Sequence, residues 1–424
     1  MYFDNQFWRS LLVQASLVEP ALAHAVAAVG VFAEQRAGLC DNEQRKLKTS
    51  TEHMALATYN KSITQVAKLP VSAKDNTEVI LLACILYICV EFLRGNEEEA
   101  IRHFNGGMAI IASLMRRNIG SSAADGTIDR IRSTSILTFF NRLEMLAALF
   151  GNDSPWPYAV TLQESIPDTF NFMGEARDSL VHLMNLSLRF IRSIGLAKYD
   201  PLFHANSHNT SGEQQDLLHH LELWRSRFSA YQARHASDLS PTDLYACNVL
   251  EIQQLVAKVW IGTTMEPFEC AHDEHMPAFE AIITLAEQLS TMVDSTKSQH
   301  ERARYNNTFI LDTEIVGPLH WVSIKCRDPS LRRRAIAVLR GTNRREGKWD
   351  SRMSVAVAER VMAIEEEGLL RGDLPSEEAR VHIVSIKSDA GLGPSRHELT
   401  FFTRPDGVHG DWKVWQEVLV SKVQ

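Results

Sequence analysis

Three side chains of metal-binding type fall within six residues: Cys270, His272 and His275, in FECAHDEHMP. A thiolate and two imidazoles can hold a transition metal, but a catalytic pair on a helix converges at i, i+4, and these three do not keep that spacing. The plainer reading is a polar loop leading into a helix that starts near Glu274. His204 and His208 do stand four apart, inside the loop-like text FHANSHNTSG. No C-x2-C pair occurs anywhere, so no structural zinc site of the usual kind can be drawn from local sequence. The segment GTNRREGKW (341–349) looks superficially like a phosphate loop, yet five residues separate its glycines and Trp349 stands where a Ser or Thr would hold magnesium. Neither G-x-G-x-x-G after a strand nor G-x-S-x-G is present, which makes nucleotide enzymes and α/β hydrolases poor readings. No cofactor and no metal are implied, and no catalytic residue can be assigned.

Charge offers two further candidates. Nine cations lie between Lys325 and Lys348: Lys325, Arg327, Arg332, Arg333, Arg334, Arg340, Arg344, Arg345 and Lys348. Such a cluster can contact phosphates or an acidic partner. Interleaved Ile336, Val338 and Leu339, with no aromatics to stack bases, favour the solvated face of a packed helix. The second candidate is a set of charges inside apolar helices. Glu91 ends the most hydrophobic helix, and Arg142 and Glu144 sit within ILTFFNRLEMLAALF. Burying a charge is costly unless it is paired. With His103 these residues form either a structural ion-pair network or the lining of a polar pocket for a small ligand, and the network is the preferred reading.

These side chains must be positioned by helices, because nearly every long segment carries helical periodicity. Trp8, Leu11, Leu12 and Ala15 share one face, Glu19-Pro20 interrupts, and Leu22, Ala25, Val26, Val29 and Ala33 resume. A third helix covers Thr51 to Val66. Residues 77–94 are apolar all round and belong at the centre of a bundle. Gly95 closes that helix, and Asn96 with Glu97–Glu99 opens the next, which makes an antiparallel hairpin. Further helices are expected at about 127–150, 175–195, 212–234, 241–262, 273–294, 310–325, 328–340 and 350–369, with polar loops at 199–213 and 294–308. Strand-like text is confined to Val381–Ile386 and Leu399–Thr403. The fold class is all-α, a multi-helix bundle of antiparallel hairpins with a small irregular or β-like C-terminal tail. Residues 1–375 are expected to form the helical domain, with 376–424 an extension packed on it.

Composition agrees with an ordinary globular protein: 424 residues, 45% hydrophobic and 23% charged, which excludes disordered, collagenous and disulfide-stapled classes. A net charge of −8 argues against a surface that grips nucleic acid throughout. The six cysteines, at 40, 84, 89, 247, 270 and 326, are scattered and fit reduced, mostly buried thiols. Asp4 and Arg9 break any signal-peptide core. The longest apolar run, Val79–Val90, has twelve residues where a bilayer needs about twenty. A soluble protein of the nucleus or cytoplasm is expected, with no membrane partner.

The opening YFDNQFW-R-LLVQAS-VEPAL-HAV-AVG and the stretch VILLACILYICVEFLRGNEEEAIRHFNGGMAII (Val79–Ile111) closely resemble the regulatory region of fungal zinc binuclear cluster transcription factors. NRLEMLAALFG (141–151), WVSIKCRDPSLRRRAIAVL and RREGKWDS add to that resemblance, which covers roughly residues 1–380. Family members carry an N-terminal six-cysteine cluster that holds two zinc ions, followed by a long helical regulatory domain. The cysteines here are spread over nearly 290 residues and cannot form that compact cluster. The resemblance therefore transfers no DNA or zinc contact to any residue, and it assigns Arg344, Arg345, Glu346, Gly347 and Trp349 no defined chemistry. It implies a regulator of a gene set, for instance one for secondary metabolism, acting without its own DNA-binding cluster through a DNA-binding partner, a homo-oligomer or a small hydrophobic ligand. Two other classes stand beside it: a helical domain recruited as a cofactor-independent cyclase or isomerase for a hydrophobic natural product, and a non-catalytic scaffold or dimerisation module. Glu91, His103, Arg142 and Glu144 are the candidate ligand-binding residues.

Overall fold

Glu19 adopts an extended backbone (φ −104°, ψ 107°) between α1 (Leu12–Val18) and α2 (Pro20–Arg36), so the Glu-Pro step divides the two helices as the sequence indicates. The computed structural model describes residues 7–36, 45–70, 74–119, 136–149, 166–200, 202–203, 208–296, 309–347, 349–370, 372–388 and 396–420. The chain divides into two compact units. The first comprises Met1–Pro167, Phe172–Leu188 and Ala303–Asp312; the second comprises Asp168–Asn171, Arg189–Arg302 and Thr313–Gln424.

In the first unit α2 packs against α3 (Arg45–Val66) and against α4 (Lys74–Arg94). Every residue of α4 from Ile80 to Leu93 is buried, which is what a helix without a polar face requires. Residues Asn76–Arg94 have the length and mean hydropathy, 1.9, of a membrane span, yet 78% of that stretch is buried inside the fold. The joint to α5 (Glu97–Ile119) is a Schellman turn. Gly95 takes φ +81°, its N–H donates to Phe92 O at 3.1 Å, and Asn96 N–H donates to Glu91 O at 2.9 Å. Glycine recurs for a different reason at Gly107, where a Cβ would fall 2.4 Å from the Phe140 ring of α6 (Ile136–Leu149). The α5–α6 approach needs that missing side chain. Leu180, Leu183, Met184 and Leu188 of α7 (Met173–Ile194) are buried, in the stripe their spacing predicts.

The second unit contains α8 (His208–Arg234), α9 (Pro241–Thr263), α10 (Met276–Thr296), α11 (Val316–Lys325), α12 (Pro329–Thr342) and α13 (Ser351–Glu365). Ser240 and Asp243 form a capping box ahead of Pro241. Val256, Phe279, Leu319 and Leu339 meet in the core. An antiparallel sheet of β1 (Val381–Ser388), β2 (Arg396–Thr403) and β3 (Lys413–Val420) lays Leu399, Phe401, Trp415 and Leu419 against Val357 and Val361 of α13.

The fold is thus mostly helical with a small C-terminal sheet, and three local expectations need correction. A third strand, β3, joins the two that the sequence suggested. The helix expected from 310 begins only at Val316, because the N–H groups of Glu314, Ile315 and Val316 all turn to the buried Glu346 carboxylate, at 2.8, 3.2 and 2.9 Å. Part of the 199–213 loop is helical, since α8 starts at His208.

Glu346 also accepts from Arg344, with Nε at 2.8 Å, so this one carboxylate caps a helix and neutralises a buried guanidinium. Glu346→Ala is expected to destabilise the protein by about 3 kcal/mol or more, with Glu346→Gln losing less. Urea unfolding of the two variants beside the parent checks it; equal stability of all three would exclude the capping role.

Candidate functional site

Glu91, on the inner end of α4, accepts two hydrogen bonds from Arg94 Nη1, at 2.9 and 2.8 Å. Around it α3 and α5 bring further polar groups into an apolar interior. The Tyr59 hydroxyl and His103 Nε2 are hydrogen-bonded at 2.9 Å. The Tyr87 ring lies 5.3 Å from that of Tyr59 and 5.1 Å from that of His103. Ser62 donates to Ala21 O at 2.6 Å and pairs with the Tyr87 hydroxyl at 2.8 Å. Burial, then the Glu91 carboxylate, push the Tyr59 phenol far above its usual range. Burial pushes Tyr87 up to about 12 against the Ser62 hydrogen bond, and lowers His103 against Glu91 and Glu99. Both phenols therefore keep their protons and His103 is neutral near pH 7. Each polar tip finds a partner inside this seam between helices, which holds α2, α3, α4 and α5 in register.

Arg142 and Glu144 belong to a second group in the same unit. Arg142 Nε lies 3.5 Å from Asp312 Oδ1, and Arg177 Nη2 lies 3.1 Å from Asp312 Oδ2. The Arg142 guanidinium also covers the Phe139 ring at 4.6 Å. Asn185 Nδ2 donates to Asn141 O at 2.9 Å and meets Glu144 Oε2 at 3.4 Å. The four candidates thus divide between two groups, Glu91 with His103 and Arg142 with Glu144, each built from partners the spacing did not indicate: Tyr59, Tyr87, Asp312, Arg177 and Asn185. Glu144→Ala is expected to lower stability by about 1–3 kcal/mol, because it removes a buried acceptor. A thermal melt checks it, and an unchanged melt together with loss of function in vivo would sink the structural assignment.

A third polar group, in the second unit, escaped the sequence reading. Lys325 Nζ donates to Glu269 Oε2 at 2.8 Å and to His382 O at 2.7 Å. Glu377 accepts the N–H groups of Glu269 and Cys270, both at 2.8 Å, and so caps the 3-10 turn Glu269–His275. His272 Nδ1 pairs with Glu269 O at 2.9 Å and Nε2 reaches Thr263 Oγ1 at 3.4 Å. Burial alone would raise the Glu269 carboxyl, but Lys325, His272, Arg380 and Lys198 prevail and hold it well below the usual range. Burial pushes His272 and His382 down to about 4 and, with Glu377, pushes the Cys270 thiol up to about 12. Of the trio that suggested a metal, His272 turns to Glu269 and Thr263 while the His275 ring lies against Gly262. Among the described residues no three such groups converge on a metal-binding set. His204 lies outside the described residues. Glu377 is 108 residues from Glu269, so no local spacing could have found this group.

The basic segment is spent internally. Lys325 pairs with Glu269, Arg327 with Asp273, Arg332 with Glu365, Arg333 with Glu366, Arg334 with Glu287, Arg340 with Glu359, and Arg344 with Glu346 and Glu314. Arg345 donates to Gly347 O at 2.8 Å, and Lys348 lies outside the described residues. With carboxylates at nearly every cation, buried at Arg332 and Arg344 and exposed at Arg333 and Arg340, the segment offers little net charge to a phosphate backbone.

No solved structure matches the chain. The aspercryptin biosynthesis cluster-specific transcription regulator of Emericella nidulans is 20% identical over 395 residues, covering 74% of this chain. The chain spans 63% of the length of that relative. The family model described as the fungal specific transcription factor domain matches residues 3–303, and with that match over most of its length the chain belongs to the fungal specific transcription factor domain family.

Proposed function

We propose that this chain is the regulatory part of a transcription regulator that controls a gene set for secondary metabolism, working in the nucleus through a partner or a ligand. The observation that carries the reading is the family match over residues 3–303, and the likeness to a cluster-specific regulator supports secondary metabolism as the process. DNA contact is assigned outside these residues. Cys84 and Cys89 on α4, Cys247 on α9 and Cys326 at the end of α11 are buried free thiols, and the basic segment is occupied by carboxylates. The buried charges at Glu91, Arg142 and Glu144, together with the neutral, half-buried His103, then serve the architecture of the regulatory domain.

Gene deletion with a complementing intact copy, followed by transcript and metabolite profiling, tests the reading. Loss of transcripts from a co-regulated gene set, restored by the intact copy, is the expected result. Normal transcripts with an accumulating precursor would overturn it in favour of catalysis, and the purified protein should then convert that precursor without added cofactor.

A further inference from the structure

Six described arginines are nine-tenths buried or more: Arg142, Arg177, Arg332, Arg344, Arg380 and Arg404. Five of them meet a carboxylate within 3.5 Å. Arg404, 8% exposed, meets none among the described residues. Its Nη1 donates to the Val408 carbonyl, and its Nε is buried without an acceptor. Two aromatic rings lie against it, Trp412 at 4.1 Å and Tyr199 at 4.4 Å from the guanidinium carbon; they stand 5.1 Å apart and nearly perpendicular, and so form a corner on one side of it. Stacking of this kind stabilises a cation but does not neutralise it.

The surroundings add positive charge and a second unused polar atom. Lys198 Nζ lies 5.2 Å from the same Tyr199 ring. His382, whose ring is 5.6 Å from Trp412 and 5.8 Å from Tyr199, uses Nδ1 on the Tyr199 hydroxyl at 3.2 Å. Its Nε2 is buried with no hydrogen-bond partner, and the nearest carboxylate oxygen, on Glu377, is 3.7 Å away. Of the three local carboxylates, Glu269 is engaged with Lys325 and Glu377 with two backbone N–H groups, while Glu266 is exposed and acts on Lys198. Tyr199 and Lys198 are only partly buried, so the cluster borders solvent.

We infer that Arg404, flanked by Tyr199 and Trp412 and joined by Lys198, forms a binding site for a small oxyanion ligand, one carrying a carboxylate or a phosphate group. With Nη1 on the Val408 carbonyl and Nε closed off inside the fold, Nη2 is the donor left for a carboxylate or phosphate oxygen, in a hydrogen bond that the charge strengthens. A ligand oxyanion there supplies the counter-charge that the fold provides to every other described buried arginine. This goes beyond the regulatory reading and does not depend on it.

The test is titration of the purified full chain with acetate, benzoate and inorganic phosphate, each at constant ionic strength balanced with chloride. Thermal melting and tryptophan emission are followed together. The expected result is a saturable stabilisation by at least one probe, and the probe that acts separates carboxylate from phosphate ligands. Arg404→Gln should weaken binding at least about tenfold and Lys198→Gln should weaken it less. Trp412→Phe keeps a ring on the guanidinium; it should retain the melting shift and lose the emission change, and it tests the site even where Arg404→Gln does not fold. The assignment is overturned by the absence of a saturable response in the intact chain, by a response that Arg404→Gln leaves intact, or by an emission change that survives Trp412→Phe.

Discussion

Lowering the pH from 7 to 5 is expected to destabilise the second unit by roughly 6 kcal/mol, through three buried histidines that stay neutral in the folded state. Burial pushes His272, His320 and His382 each down to about 4. His320 has only a weak contact to Ser354 O, at 3.3 Å, and the Trp349 ring at 5.3 Å to set against its desolvation. In the unfolded chain each imidazole binds a proton near pH 6.5. Below that value the unfolded state takes up protons that the folded state refuses, and stability falls until the folded pKa near 4 is reached. At pH 5 the loss is about 2 kcal/mol for each histidine. Glu269, held low, stays ionised through this window; below about pH 4.5 its protonation in the unfolded chain adds a loss of the same sign. Urea midpoints at pH 7, 6 and 5 measure the effect, and His320→Gln should remove about a third of it. A midpoint that does not move between pH 7 and 5 would show that these imidazoles are not buried neutral.

The second large effect is expected at Glu365. Its Oε2 accepts from Arg332 Nη1 at 2.7 Å and from Arg380 Nη1 at 2.6 Å, while Oε1 accepts the Val381 N–H at 2.9 Å. Arg332 also donates to Ser323 O at 3.1 Å, and Arg380 to Lys325 O at 2.6 Å. A single carboxylate thus joins α11, α12, α13 and the start of β1. Arg332 and Arg380 are fully buried and Glu365 is 1% exposed. Glu365→Gln leaves two buried guanidinium groups with only the Glu366 carboxylate, 3.9 Å from Arg332, and a loss of about 3–5 kcal/mol is expected. Replacing all three together, Arg332→Met with Glu365→Leu and Arg380→Met, should cost far less, because no buried charge remains. Chemical denaturation of both proteins decides the matter. A triple variant as damaged as Glu365→Gln would mean that hydrogen bonding to Ser323 and Lys325, rather than charge balance, carries the stability.

Particular elements show how far the sequence could be read. Residues 77–94 announce a central helix because no face of them is polar, and Gly95 followed by Asn96 announces the turn, since left-handed backbone and N-capping each favour a few residue types. The break at Glu19-Pro20 is equally local. β3 is not legible locally, because Val414 and Val418 alternate with Trp415, Glu417 and Leu419 beside charged neighbours, and only pairing with β2 decides the register. The start of α11 is hidden for a related reason: what halts the helix before Val316 is a carboxylate thirty residues downstream.

The same division runs through the charged groups. From the sequence alone it follows that Glu91, Arg142, Glu144 and the cations of 325–348 need partners, because burial of an unpaired charge is costly whatever the fold. Which groups answer them is a tertiary matter: Arg94 and Tyr59 at Glu91, Asp312 at Arg142, Asn185 at Glu144, and carboxylates from four other segments along the basic run. Side-chain type and local periodicity determine helices, caps and the need for compensation, since these depend on residues a few positions apart. Pairing over tens or hundreds of residues, and the one buried guanidinium at Arg404 that the described fold leaves without a carboxylate, depend on how the helices pack, which no local spacing encodes.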